Sequence, residues 1–385
     1  MNTTTRRYVW LVGKVIFTIA YFVFAGEVFL RFFAPEPILP RYVCATPYGI
    51  RGNEPNRNYW HTTPEYRINI RTNSAGVRAD RDIPFEKNDG VKRIVLLGDS
   101  FGMGYGVDLE DTFSSQMENR LNAAGLQCEV VNLSVSGHGT AEQLITLREQ
   151  GFQYQPDVVL IAWHGSDLQD NVRSNLYRLE GGHLVQASKT YLPGVKTREF
   201  LFQFAVYRWM AEYSHMYSCL RENAAHLIKY TVLPAIRSLS NVNDSEEEPS
   251  EDAKERAAAY REKISIALLK EIEKECSSHG SNLLILDIPV KLDRMEFMST
   301  FPADEEKPHN FKVFSPIEIF KKHNGKKLYW EESMGHFTPF GCWLVGEGLA
   351  TTIIDLGLLE GHQISVACAS VCHNRRQLND APATK

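Results

Sequence analysis

Residues 93–102 read Arg-Ile-Val-Leu-Leu-Gly-Asp-Ser-Phe-Gly, an apolar run of strand type that passes directly into Gly98, Asp99 and Ser100. A serine on a glycine-flanked turn at the carboxyl end of a parallel strand is where α/β proteins place a nucleophile. Gly, Asp and Ser are also ordinary turn formers, so the tripeptide needs partners before it means chemistry. An activated serine needs a base, and acyl transfer needs donors aimed at the developing oxyanion. Three later segments offer them. The run from Asn132 to Gly139 follows a second strand and can present the backbone N–H of Gly137. Trp163-His-Gly165-Ser166-Asp167 follows a third, with the Ser166 hydroxyl as a side-chain donor. His336 stands just before the last helix, in Gly335-His-Phe-Thr-Pro-Phe-Gly341. Each segment alone is a weak signal, and their shared place at strand ends is the stronger one.

Such an arrangement needs parallel strands alternating with helices, and the chain supplies that rhythm. Strands are expected at Arg93 to Gly98, Glu129 to Leu133 and Asp157 to Trp163, short and rich in Val, Ile and Leu as buried parallel strands are. Phe113, Met117 and Leu121 recur at helical spacing between the first two. Thr140-Ala-Glu-Gln143 forms a capping-box pattern that opens a helix through Gln150. A charged helix over about 252–278 carries Ile264, Leu268 and Ile272, and Asn282 to Pro289 supplies a further strand. In the last helix Thr338 is placed to cap, Pro339 to sit in the first turn, and Leu344, Val345, Leu349 and Ile353 to form the apolar stripe. The expected fold is a three-layer α/β/α sandwich on a mainly parallel, flavodoxin-like sheet of about five strands. It occupies residues 91–357, with a helical insertion at 172–253. Residues 35–90 read as a segment packing on the main domain, including a strand within Tyr66 to Asn73, and residues 358–385 as a tail.

The N-terminus has a different character. Arg6, Arg7 and Lys14 precede an uncharged apolar run from Val15 to Gly26, and apolar residues resume through Phe33 around Glu27 and Arg31. Roughly 20 residues cross a bilayer core, so residues 1–34 read as a single anchor, with Lys14 and Arg31 reaching opposite interfaces. The basic flank predicts a cytoplasmic N-terminus and an extracytoplasmic main domain. A cleaved signal ending near Val23-Phe24-Ala25 is the alternative, disfavoured because the apolar run continues past it. With 385 residues, 43% hydrophobic and a net charge of −5, the chain shows no broad basic field, which argues against a nucleic-acid partner. The seven cysteines lack metal-ligand spacing, and no metal or cofactor is expected.

Taken in order, these blocks resemble the SGNH, or GDSL-type, hydrolase family, particularly its membrane-anchored bacterial members, over about residues 73–356. The resemblance implies Ser100 as nucleophile, Gly137 as an oxyanion donor beside the Ser100 N–H, and His336 as base. Asn73-Ser-Ala-Gly-Val-Arg78 is similar to a segment that precedes the catalytic domain in anchored members. Two positions depart from the family pattern. Ser166 stands where an asparagine amide usually donates to the oxyanion. Ser333 and Met334 stand where an aspartate usually precedes the histidine, leaving Glu332 or Glu331 as candidates to orient His336. Gly98-Asp-Ser100-Phe-Gly102 also matches the Gly-x-Ser-x-Gly elbow of α/β-hydrolases, but that elbow follows several sheet strands and this serine ends the first. A phosphate loop is excluded, because the following glycines lack its Lys-Ser/Thr ending. The expectation is a serine-dependent carboxylester hydrolase or O-acyltransferase acting on an acylated small molecule, glycan or lipid. The competing expectation is a catalytically impaired glycan-binding or scaffold protein of the same fold.

Overall fold

The computed structural model describes residues 3–227, 251–293, 296–302, 311–333 and 335–360. In chain order the elements that position the site begin with α1 (Thr3–Phe33) and two antiparallel hairpins, β1 (Val43–Ala45) with β2 (Arg51–Asn53) and β3 (Asn58–Thr62) with β4 (Arg67–Arg71). The α/β rhythm then starts: β5 (Lys92–Gly98), α2 (Ser100–Met103), α3 (Phe113–Ala123), β6 (Cys128–Asn132), α4 (Thr140–Glu149), β7 (Val158–Trp163) and α5 (Asp167–Ser174). A hairpin, β8 (Tyr177–Glu180) with β9 (His183–Gln186), leads into α6 (Val195–Leu201), α7 (Ala205–Tyr213) and α8 (His215–Leu227). The chain returns with α9 (Glu251–Ser278), β10 (Asn282–Asp287), the hairpin of β11 (Val290–Asp293) and β12 (Glu296–Met298), β13 (Val313–Phe314), α10 (Ile317–Lys322) and α11 (Pro339–Asp355).

The central sheet has the order β13-β10-β7-β5-β6 with every pairing parallel. Its strands are hydrophobic on both faces because both are covered. Ile94, Leu96, Leu160 and Leu286 face α3 and α11, meeting Phe113, Met117, Val345 and Leu349. Val95, Leu97, Ile161 and Ile285 face α4 and α9, meeting Leu144, Leu147, Ile264 and Leu268. Burying one such leucine stabilises by about 1.5–3 kcal/mol, which is why a strict two-residue alternation sorts cleanly into two layers. The fold is therefore the five-stranded, parallel α/β/α sandwich expected, and the β5 serine lies at a central strand, where the sheet order reverses between β6 and β7.

Local chemistry departs from expectation in two places, and an expected strand forms with an unexpected partner. The helix α4 is capped by Gly139, not by Thr140: Glu142 accepts from the Gly139 N–H at 3.1 Å, while the Thr140 hydroxyl donates to Asp167 at 3.0 Å. The expected strand within Tyr66 to Asn73 forms, but only because β3 pairs with it, and β3 carries too many polar residues to announce itself. Leu358 and Leu359, placed in the tail by sequence, are buried against the β10 side of the core. Of the acidic stretch from Asp244 to Asp252, expected as a solvated linker, residues 244–250 lie outside the described residues, as do Met334, Cys368, Cys372 and the remainder of the tail.

The helix α1 is long and apolar enough to cross a membrane, and none of its most apolar window is buried. Its far end is docked. Glu27 accepts from the backbone N–H groups of His215 and Met216 at 3.2 and 2.8 Å and from the Ser214 hydroxyl at 2.8 Å. It thereby caps α8 with a carboxylate, and Arg31 adds a bond to the Tyr213 carbonyl at 2.8 Å.

Candidate active site

Ser100 begins α2 immediately after β5, with Asp99 as the cap: its carboxylate accepts from the Phe101 N–H at 2.8 Å. Burial pushes the Asp99 carboxyl up to about 7. The rest of this turn is held by a residue from far upstream. Arg78, fully buried, donates to the carbonyls of Met103, Gly104 and Val107, the last at 2.6 Å. A planar guanidinium can serve three carbonyls at once, so the segment Asn73 to Arg78 acts as a clamp on the nucleophile turn. The Asn73 side chain shapes that segment by accepting from Ala75 and Val77, each at 3.0 Å. From the β6 side, Asn132 donates to the Gly102 carbonyl at 2.8 Å.

The turn between Leu328 and Thr338 brings His336 to the same edge. Tyr329 bridges to Phe337, Trp330 donates its indole N–H to the Gly106 carbonyl at 2.9 Å, and the Trp330 N–H bonds to the His336 carbonyl at 2.8 Å. Thr338 caps α11 by accepting from Gly341, as its sequence position predicts. The result is a contact of 2.8 Å between His336 Nε2 and Ser100 Oγ across 236 residues of chain. His336 is 5% exposed and packs on Phe101 and Tyr105. Burial, with the charges of His164 and Arg41 adding to it, pushes the His336 imidazole down to about 3, so the ring is neutral and able to accept a proton at ordinary pH.

The other side of that ring is bare. Nδ1 of His336 has no hydrogen-bond partner among the described residues, and the buried Ser333 hydroxyl is likewise unpartnered. Glu331 and Glu332, expected as orienting acids, do not serve Nδ1. Glu331 pairs with Lys291 at the surface, and Glu332 is exposed, its backbone N–H donating to Glu65 at 2.9 Å. The physical reason is placement: both precede the inward-facing Ser333, and their side chains leave toward solvent. Glu65, carried by the β3–β4 connection, instead holds this turn from outside through Glu332 and through Lys327 at 2.7 Å.

Gly137 has a φ of +79°, and a β-carbon there would stand 2.8 Å from the Arg51 guanidinium, so only glycine fits. Its loop is stitched to β5 by the Val135 N–H on the Gly98 carbonyl at 3.1 Å. Ser166 is occupied. His164 Nδ1 lies 2.9 Å from the Ser166 hydroxyl and also accepts the Ser166 N–H at 3.3 Å, so the hydroxyl proton is directed to that ring. His164 was not singled out in the sequence. It stacks on Phe101, whose ring also meets His336, and it lines a cavity of about 320 Å³ with Phe101, Pro289, Val290 and Tyr329. The signal available was a histidine directly after a third strand, beside a serine that draws attention first.

No protein-family model matches the chain. An arylesterase from Vibrio mimicus is 33% identical over 76 residues, which are 20% of this chain and 38% of that protein, so the match spans well under half of the relative's length. Among solved structures, a protein from Desulfitobacterium hafniense assigned to the G-D-S-L lipolytic family is 12% identical at a TM-score of 0.36, covering 68% of this chain and 99% of that one. TesA is 13% identical at 0.35, over 69% and 99%. The esterase EstA from Pseudoalteromonas is 14% identical at 0.36, over 69% and 98%.

Proposed function

We propose that the chain is a serine-dependent carboxylester hydrolase or O-acyltransferase, held at a membrane by α1, with its α/β domain outside the cytoplasm and an acylated glycan or lipid as substrate. The observation that supports this reading most is the 2.8 Å contact between Ser100 Oγ and a buried, neutral His336 at the carboxyl edge of the sheet. In this scheme His336 Nε2 takes the hydroxyl proton as Ser100 Oγ attacks the ester carbonyl. The tetrahedral oxyanion is met by the backbone N–H groups of Ser100 and Gly137, with Ser166 contributing only when its hydroxyl leaves His164. The proton then passes from His336 to the departing alcohol oxygen, the C–O bond breaks, and an acyl-Ser100 ester remains for water or an acceptor hydroxyl to cleave. The arylesterase among its relatives points to the same chemistry. The basic residues at the N-terminal end of α1, Arg6, Arg7 and Lys14, support the orientation.

The unpartnered Nδ1 of His336 favours a second reading, a glycan-binding or scaffold protein with an impaired site. In a well-studied protease, disabling the orienting acid costs about 10⁴ in turnover. A fluorophosphonate probe on the full-length chain in detergent separates the two. Labelling of Ser100, lost in Ser100→Ala, with turnover of a short aryl ester supports the enzyme. A folded chain that stays unlabelled over long exposure and turns over no aryl ester supports the binding protein.

A further inference from the structure

Three arginines, Arg41 just before β1, Arg51 on β2 and Arg198 on α6, cluster on the side of the molecule where Arg51 lies beside Gly137, and what distinguishes them is what they lack. Elsewhere among the described residues, buried and half-buried arginines are served: Arg93 pairs with Glu129, Arg148 with Glu271 and Glu275, and Arg78 with three carbonyls. Arg51 and Arg41 are both half-buried, yet among the described residues neither guanidinium donates a hydrogen bond and neither has a carboxylate within ion-pair distance; the Arg51 Nε is fully shielded from solvent with no partner. Arg198, also half-buried, donates to the Arg41 carbonyl and has no carboxylate of its own.

Their position is fixed by the fold. Arg51 opens β2, its carbonyl is bonded by His138 at 2.7 Å, and its guanidinium lies against the α-carbon of Gly137. The same Gly137 is the proposed oxyanion donor. Arg41 is close enough for its charge to bear on both Arg51 and His336. Two carboxylates act on Arg51 from a distance: Glu142, which is engaged by the Gly139 N–H and is pushed by burial up to about 7, and Asp170, which is paired with Arg173 at 2.6 Å; neither lies within ion-pair distance of Arg51. Gathering like charges away from water without a counter-charge is costly. A planar guanidinium with its donors free is also the group that binds a carboxylate or phosphate through two parallel hydrogen bonds.

We infer that Arg51 and Arg41 form an anion-binding subsite on the Gly137 side of the Ser100–His336 pair, and that the acylated substrate carries an ionised carboxylate or phosphate next to its ester. The catalytic consequence rests on the ester-cleavage reading above; the anion binding does not. An oxyanion held there completes the hydrogen bonding of Arg51 and orients the ester toward Ser100. A neutral ester of the same size forgoes that anchor. The subsite also gives a role to the segment from Arg41 through β2, which carries both charges to the Gly137 side.

Two measurements on the full-length chain test this. The first compares kcat/KM for 4-acetoxybenzoate, which carries a carboxylate on its leaving group, with that for neutral phenyl acetate. The second reads the shift in Tm caused by inorganic phosphate against chloride at matched ionic strength. The wild type is expected to favour the anionic ester, and Arg51→Gln to lower the anionic-to-neutral ratio by roughly tenfold, the loss of one bidentate contact. Phosphate should raise the Tm of the wild type and not of Arg51→Gln. Arg41→Gln gives an independent reading should Arg51→Gln fail to fold. Equal ratios in wild type and variants, with no phosphate-dependent shift, overturn the subsite and leave ester cleavage standing. A phosphate shift that requires Arg51, in a chain that cleaves neither ester, supports the subsite while ester cleavage falls.

Discussion

Around Ser100 the backbone is held from three directions: Asp99 caps the turn, Arg78 takes three of its carbonyls, and Asn132 takes a fourth. Around His336 the scaffold is equally close-packed, with Trp330, Tyr329 and Phe337 in place, but the ring nitrogen opposite Ser100 and the nearby Ser333 hydroxyl are left without partners. One half of the pair is fixed by redundant hydrogen bonds, while the ring of the other is held by packing and by its contact with Ser100, with backbone bonds setting its turn. Packing sets where a ring sits; it does not select which nitrogen carries the proton. In the catalytic reading proposed above, any weakness then lies in the tautomer of His336 and not in the geometry of Ser100.

The largest effect is expected from breaking the well-held half. Arg78→Met removes the donors to three buried carbonyls and should destabilise the chain by on the order of 3 kcal/mol or more in urea unfolding. Displacing Ser100 by even about 1 Å should lower aryl-ester turnover roughly 10²-fold. Retained labelling and stability in that variant would show that the turn does not depend on the clamp.

Completing the weak half should give a smaller gain. Ser333→Asp places a carboxylate three residues before His336, on the inward side where Glu331 and Glu332 do not reach. It should raise the His336 pKa from about 3, because a nearby negative charge favours the imidazolium, and raise turnover about 10- to 10²-fold. The pH dependence of probe labelling reads the first and steady-state kinetics the second. Combining it with Glu65→Gln removes a carboxylate that grips the same turn; a gain seen only in the double variant identifies repulsion, and no gain in either assigns the slow step elsewhere.

The smallest effect on turnover, and a distinct one on stability, concerns the neutral histidines behind both turns. His61, His138 and His336 are pushed by burial down to about 3, so the unfolded chain binds more protons than the folded one between about pH 3 and 6.5. Their contribution is present above pH 6.5 and is lost as pH falls. Asp99 and Glu142, pushed by burial up to about 7, act in the opposite sense and lose their contribution as pH rises through 7. In His61→Gln the fall in stability toward acid should be shallower than in the wild type by about 1.4 kcal/mol per pH unit in that window, measured by urea melts at stepped pH. Parallel curves would place His61 outside this balance.

The sheet was legible because its information is local. Val-, Ile- and Leu-rich runs of six residues, and helices with stripes such as Leu344 to Ile353, state their burial in their own periodicity. Ser100 and His336 stood out for the same reason, each placed at the edge of a readable element. Arg51 and Glu65 did not, and Arg78 only as the end of a recognised segment, because their meaning depends on which carbonyls, glycines and turns the N-terminal hairpins bring beside them, and strands of only three to five residues carry no such instruction. The expected capping box forms one residue earlier, with Gly139 as cap and Glu142 as its partner, while the Thr140 hydroxyl donates to Asp167, 27 residues away. Glu331 and Glu332 were the nearest acids in sequence, but the direction of a side chain from a turn is not encoded by nearness.

The carboxylate of Glu27 makes α1 something other than a leash. By capping α8 it joins the apolar helix to the α6–α8 region through a bonded corner, with Arg31 closing the joint. In the anchored form proposed above, the chain's working height over the bilayer is then a dimension of the protein, like the length of a caliper arm, and is not averaged over a slack linker. If esters are the substrate, as proposed above, that joint favours those presented at one height over chemically identical ones nearer to or farther from the bilayer.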